Sequence, residues 1–161
     1  ISSEDIKKLF IIAYKIDEDK GVVIHSSDNI PQHKSLTPQV THMGTVYSFI
    51  IGQGQRYYED VFGPFPFGEN RATIYTKVVA DSTQIHSRND GKTFFMLCIV
   101  FPKNLAPLFY NHDLLKTLIE ERLHNIDDLK NLDQYSLKTF RESLFSALLH
   151  NLKTQVSDLQ F

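Results

Sequence analysis

Between Thr93 and Phe101 the chain reads TFFMLCIVF, a run with one hydroxyl and no charge. It opens after the turn signal Asn89-Asp90-Gly91 and closes at Pro102. So short and apolar a run, bounded by turn residues, predicts a central strand buried on both faces. Such a strand needs a paired neighbour on each edge and a covering layer on each face. The rest of the chain has to supply both.

With 161 residues, the chain suits a single domain over 1–161, large enough to build one core without disulfides or metal. The formal net charge of -2, with no basic cluster, argues against a nucleic-acid partner. Cys98 is the one cysteine and falls inside the apolar run, so it reads as a small buried hydrophobe in a reducing compartment, and a cytoplasmic protein is expected. No signal pattern occurs, and no apolar run approaches the roughly 20 residues of a membrane span. The first residue is Ile1, which leaves room for a flanking anchor or domain.

Lys8 to Ile16 (KLFIIAYKI) predicts a nearly continuous apolar strand. The charged turn Asp17 to Gly21 joins it to Val22-Val23-Ile24-His25, which grades into Ser26-Ser27-Asp28 and is expected to be an edge. Thr37 as cap and Pro38 in first helical position predict a helix from about Pro38 to Ile51, stopped by Gly52 and Gly54. Its core arc centres on Val40 and Tyr47 at 100° per residue, and includes Met43 and Gly44. Gln55 to Phe62 predicts a third strand, with Gly63-Pro64-Phe65-Pro66-Phe67-Gly68 as a loop that breaks it. Arg71 to Ala80 is a fourth strand, with a kinked continuation through Ser82 to His86, and the apolar run is the fifth. Beyond Pro102 the period becomes helical. One helix is expected over Asn111 to Asn125, capped by Asn111, and another from a capping Ser136, about 36 Å long at 1.5 Å per residue. Ile126 to Tyr135 reads as an irregular or short helical connector.

Chemistry is sparse. The seven histidines, His25, His33, His42, His86, His112, His124 and His150, include no His-x-x-x-His pair and have no cysteine partner beyond Cys98, so no metal site is expected. Gly52-x-Gly54 follows a helix, which is the wrong context for a phosphate cradle. Glu120-Glu121 and Asp127-Asp128 are neighbours that diverge by about 100° on a helix and read as solvated faces. No Gly-x-Ser-x-Gly elbow occurs and the thiol is expected to be buried. Neither a catalytic group nor a cofactor is therefore assigned. Arg122 and Arg141 fall inside the apolar arcs of the last two helices, where they either snorkel to water or enter a buried ion pair.

Two surface features remain. On the first helix His42, Val46 and Phe49 point away from the sheet, and such a stripe is covered either by a partner or by a loop such as Asn29 to Leu36. Phe65 and Phe67 stand in a proline-stiffened segment that either forms a recognition tip or tucks its rings over the end of the core.

Hairpin, helix, three-strand meander, helix, helix is the resulting order. Placing the most apolar strands centrally gives an α+β fold in three α/β/α layers. Its five-stranded antiparallel sheet has the order 2-1-5-4-3, with one helix on one face and the two C-terminal helices on the other. That arrangement, with the Lys8 to Ile16 strand, the Thr37-Pro38 helix start and the Thr93 to Phe101 strand, resembles the longin domain, within the wider longin and roadblock group. Roadblock domains open with an extra helix, for which Ile1 to Ile6 is too short. The resemblance implies a non-catalytic pairing and docking module of vesicle trafficking and small-GTPase regulation. It implies a partner that is another longin or roadblock-like domain, the same or different, with a small GTPase besides, and membrane association through partners. The second strand and first helix would form the pairing face, assigning Val22, Ile24, His42, Val46 and Phe49 to it; Phe65 and Phe67 are a second contact only on the recognition-tip reading of their loop, which is a departure from the family. The alternative is a small-ligand sensory domain on a related sheet, PAS- or profilin-like, with a cavity lined by Tyr14, Tyr75 or His86.

Overall fold

The structure, a computed structural model, describes residues 1–17, 19–31, 36–51, 59–84 and 91–158. A 3-10 helix at Ser3–Lys8 leads into β1 (Phe10–Asp17) and β2 (Gly21–Asp28). α1 (Leu36–Ile51) then precedes the meander β3 (Val61–Phe67), β4 (Asn70–Ala80) and β5 (Lys92–Pro102). The chain closes with α2 (His112–Leu123) and α3 (Gln134–Asp158). The sheet has the order β2-β1-β5-β4-β3, antiparallel throughout, as expected from the gradient of apolarity along the strands.

β5 is the hub because it alone offers an apolar side chain to both faces at almost every position. All of Thr93 to Phe101 is buried. Alternation sends Phe95, Leu97, Ile99 and Phe101 toward α2 and α3, and Phe94, Met96, Cys98 and Val100 toward α1. The α1 layer is thin: Val40, Met43 and Tyr47 cover Ile12, Tyr14, Ile74 and Cys98. The opposite layer is thicker. There Leu115, Ile119 and Leu123 of α2, and Leu137, Phe140, Leu144 and Leu148 of α3, bury the other face.

Several boundaries differ from expectation for identifiable reasons. Gly63 to Phe67 is not a loop but most of β3, an edge strand, and Gly68 lies in the turn to β4. The two prolines of β3 are tolerated because an edge strand leaves half of its N–H groups outside the ladder. Gly63, at φ +111°, and a register shift between Phe62 and Phe65 absorb the irregularity. Ser82–Gln84 is a 3-10 turn and not a continuation of β4. Asp81, rather than a strand residue, shapes that turn, accepting from the Thr83 N–H at 3.1 Å and the Thr83 hydroxyl at 2.6 Å. α1 starts at Leu36, so Thr37 lies inside the helix instead of capping it. α3 starts at Gln134, and Ser136 is one half of a reciprocal cap: Asp133 Oδ1 accepts from Ser136 N–H, and Ser136 Oγ accepts from Asp133 N–H, each at 2.9 Å. The connector contains a 3-10 turn at Leu129–Asn131 whose Leu129, with Leu132, is buried. His33, Gly52, Gly54, His86, the expected start of the third strand at Gln55 and the Asn89-Asp90 turn lie outside the described residues.

Candidate protein-interaction face

α1 is built to be sided. Val40, Met43, Gly44 and Tyr47 recur at helical spacing and face the sheet, where the Tyr14 hydroxyl donates to Val40 O at 2.5 Å and the Tyr47 hydroxyl donates to Pro66 O at 2.7 Å. Gly44 lets the Tyr14 ring approach, since a Cβ there would lie 2.5 Å from the ring. His42, Val46 and Phe49, at i, i+4 and i+7, take the opposite face as expected. His42 is exposed, Val46 half-buried and Phe49 72% exposed. The helix contains no Asp, Glu, Lys or Arg, whereas 22% of the chain is charged. An exposed helix face without charge has the composition of an interface core.

Beside α1 runs β2, which among the described residues is paired on one side only, by β1. Val22 is half-buried and Ile24 is 41% exposed. The inner side of β2, in contrast, is firmly held. The register slips between Ala13 and Tyr14, opposite Ser26 and Ile24, which makes His25 the extra residue of a bulge. Its Nε2–H donates to Leu129 O at 2.8 Å, and Ser26 Oγ donates to Leu132 O at 2.6 Å, so both residues fasten to the connector between α2 and α3. Asp28 accepts from Arg141 Nε at 2.6 Å, and Arg141 Nη1 donates to Ile6 O at 2.9 Å. Of the two outcomes open to Arg141, the structure takes the buried ion pair. Arg122 instead donates to Ser143 Oγ and Leu118 O.

The two edges of the sheet differ in kind. β3 carries Pro64 and Pro66, which cannot donate to an added strand. The stretch Gly21 to Ile24 of β2, exposed at Gly21 and Ile24 and half-buried at Val22 and Val23, carries no proline and no charge.

Phe65 and Phe67 do not form a tip. Phe67 is buried, edge-on to Phe10 at 5.9 Å, and Phe65 is half-buried and stacked on Tyr47 at 5.5 Å. Strand alternation turns both toward α1, which is the tucked alternative. Of the loop proposed to cover the α1 stripe, Asn29 donates to Lys7 O and Leu9 O while Ile30 packs into the α1-side core. Residues 32–35 lie outside the described residues.

Elsewhere the chemistry is muted. Cys98 is fully buried, which pushes its thiol pKa well up. Among the described residues no three His, Cys, Asp or Glu side chains converge on a metal-sized site. Asp128 is engaged in the connector, accepting from the N–H groups of Ser82 and Lys130. Tyr14 and Tyr75, named for a ligand cavity, lie on opposite faces of the sheet. Among the described residues no helix is long and apolar enough to cross a membrane.

The bulge, its fastening to the connector and the Asp28–Arg141 pair were missed or left open by sequence reasoning. Their partners are about a hundred residues apart, and only the arginine within an apolar arc signalled one of them. No protein-family model matches this chain, and no curated protein matches it.

Proposed function

We propose that this chain is a non-catalytic interaction scaffold of the longin type. It pairs through β2 and the outward stripe of α1, and docks a small GTPase or a membrane-trafficking partner. One observation carries the reading: a charge-free helix shows Phe49 at 72% exposure beside a sheet edge that no proline or charge protects. Left bare, that combination is a liability, and a partner of similar chemistry turns it into an interface. The strand order, which matches the longin arrangement, supports the same reading. The partner for pairing is another domain of this kind. Activity then resides in what the pair recruits, in the cytoplasm, with membranes reached through those partners.

Sedimentation equilibrium of the purified chain tests the pairing, with Phe49→Asp as control. A concentration-dependent dimer that the substitution abolishes supports the reading, and a strict monomer removes it. The docking half is tested separately by binding to a panel of nucleotide-loaded and nucleotide-free small GTPases. Failure of every member to bind removes it.

A further inference from the structure

We propose that the cleft between α2 and α3 binds a small monocarboxylic acid with an apolar body, its carboxylate held by Arg122, Thr139 and Ser143. The site lies on the α2 and α3 side of the molecule and does not depend on the pairing reading.

Arg122 is the less compensated of the two arginines that enter apolar arcs. Its side chain is only 20% exposed. Nε donates to Ser143 Oγ and Nη1 to Leu118 O, each at 2.9 Å, and both acceptors are neutral. The carboxylate paired with it, that of the exposed Glu121, stands 3.8 Å from Nη1. Arg141, in contrast, meets Asp28 at 2.6 Å. A guanidinium taken out of water costs free energy unless an anion reaches it at hydrogen-bond distance, and a solvated carboxylate farther away recovers little of that cost. The carbonyl end of α2 helps, but a helix terminus carries only about half an elementary charge. Nη2 makes no hydrogen bond among the described residues. A guanidinium held in place by two neutral bonds, with a donor to spare, is suited to an oxyanion.

The cleft around it supplies further donors. Its volume is about 410 Å³, and the end of α2, the loop His124 to Ile126 and the start of α3 line it. That volume falls among those of small-molecule sites, roughly 300–1,000 Å³. Thr139 and Ser143 both line it and stand at i and i+4 on α3, so they share one helix face. Thr139 makes no hydrogen bond among the described residues, and Ser143, which accepts from Arg122, gives its own hydrogen to no described partner. One guanidinium and two hydroxyls thus have donors left for a ligand oxygen.

Charge balance and the walls select the class. Arg122 is the only Lys or Arg among the described residues lining the cleft, and Glu121 lines it too. One cation beside a carboxylate suits a single negative charge, and disfavours a phosphate monoester carrying about −1.5 to −2. Leu123, Ile126 and Phe140 form apolar wall, and Tyr135, also lining the cleft, is largely exposed. A ligand with an aromatic or alkyl body removes that surface from water, which acetate cannot do.

Titration of the isotope-labelled chain with phenylacetate, followed by amide shifts in NMR at fixed pH and ionic strength, tests the site. Saturable shifts are expected at Arg122 to Ile126 and at Thr139 to Ser143, in the millimolar range. Phenylacetamide, similar in shape but neutral, should bind about tenfold or more weakly, the loss of a charge-assisted bond. Acetate, which keeps the charge and lacks the ring, should be weaker by about tenfold or more. Thr139→Val, at an exposed position where substitution leaves stability nearly unchanged, should weaken phenylacetate roughly three- to tenfold. Arg122→Gln should abolish the preference for acid over amide. Because it also breaks the bonds to Ser143 and Leu118, Thr139→Val and the ligand series on the unmodified chain decide the matter without it. Equal affinity for acid and amide, shifts confined to other elements, or an unchanged affinity in Thr139→Val overturns the site. Acetate binding as tightly as phenylacetate overturns the apolar body, and phenyl phosphate binding more tightly overturns the choice of a monoanion.

Discussion

Gly44 sits where two opposing effects of known size meet. Replacing a helical glycine with alanine ordinarily stabilises by about 1 kcal/mol. Here the new Cβ would lie 2.5 Å from the ring of Tyr14, which is buried and fixed by its hydrogen bond to Val40 O. The ring cannot withdraw cheaply, and overpacking of this kind costs about 1–3 kcal/mol. Gly44→Ala is therefore expected to be net destabilising, with a lower denaturant midpoint at unchanged slope. Phe49 is the converse case. At 72% exposure it touches little of its own chain, so Phe49→Asp should change monomer stability by no more than about 0.5 kcal/mol while abolishing association. Cys98 offers a third readout at this scale. Burial both raises its thiol pKa and shields it, so a thiol reagent should label it only as fast as the protein unfolds. Both faces of α1 were legible in the sequence because helical periodicity is local, and Tyr47 and Phe49 fell where 100° per residue puts them. Gly44 was legible as a core-facing position, but the ring above it belongs to β1 and no local pattern connects the two.

α3 is tied to the sheet by the pair between Arg141 and Asp28, whose side chains are 9% and 7% exposed. Removing one partner strands a buried charge, so Arg141→Ala should cost about 3–5 kcal/mol. Replacing both with apolar residues of similar size should recover most of that loss, and a double-mutant cycle in urea measures the difference. The start of the same helix depends on the Asp133 and Ser136 cap, and Asp133→Ala should lower the denaturant midpoint. Sequence reasoning located seven of the eight main elements to within a few residues where hydrophobic period or a cap was present, as in β5 and α2, whereas the third strand, expected from Gln55 to Phe62, is β3 at Val61–Phe67. It misread Gly63 to Gly68 as a loop, because two prolines outweigh alternation when the strand's place in the sheet is unknown. An edge tolerates what a centre does not. The bulge at His25 was equally illegible, since it is defined by the strand opposite and held by carbonyls of a distant connector.

For the molecule as a whole, two layers of unequal strength enclose one sheet. Acid should expose the weak points on the thicker side. Burial works to raise the Asp81 carboxyl, but hydrogen bonds from Thr83 and the charge of Lys15 outweigh it, so its pKa lies below the ordinary 3.8. Asp133 is held low by its bonds from Ser136. A carboxyl with a depressed folded pKa binds fewer protons folded than unfolded, so its stabilisation is complete above the unfolded pKa and lost as pH falls through the folded one. The denaturant midpoint should therefore decline below about pH 4, and Asp81→Asn should remove part of that decline. The order of elements, the burial of Thr93 to Phe101 on both faces, the sheet order 2-1-5-4-3 and the outward stripe of α1 were determined by the sequence alone. Each follows from periodicity, composition or turn chemistry within a short window. Which edge is barred by proline, where β2 bulges, and which arginine finds a carboxylate were decided only by tertiary structure. Those properties belong to pairs of residues far apart in the chain, and a pair has no address until the sheet brings its members together.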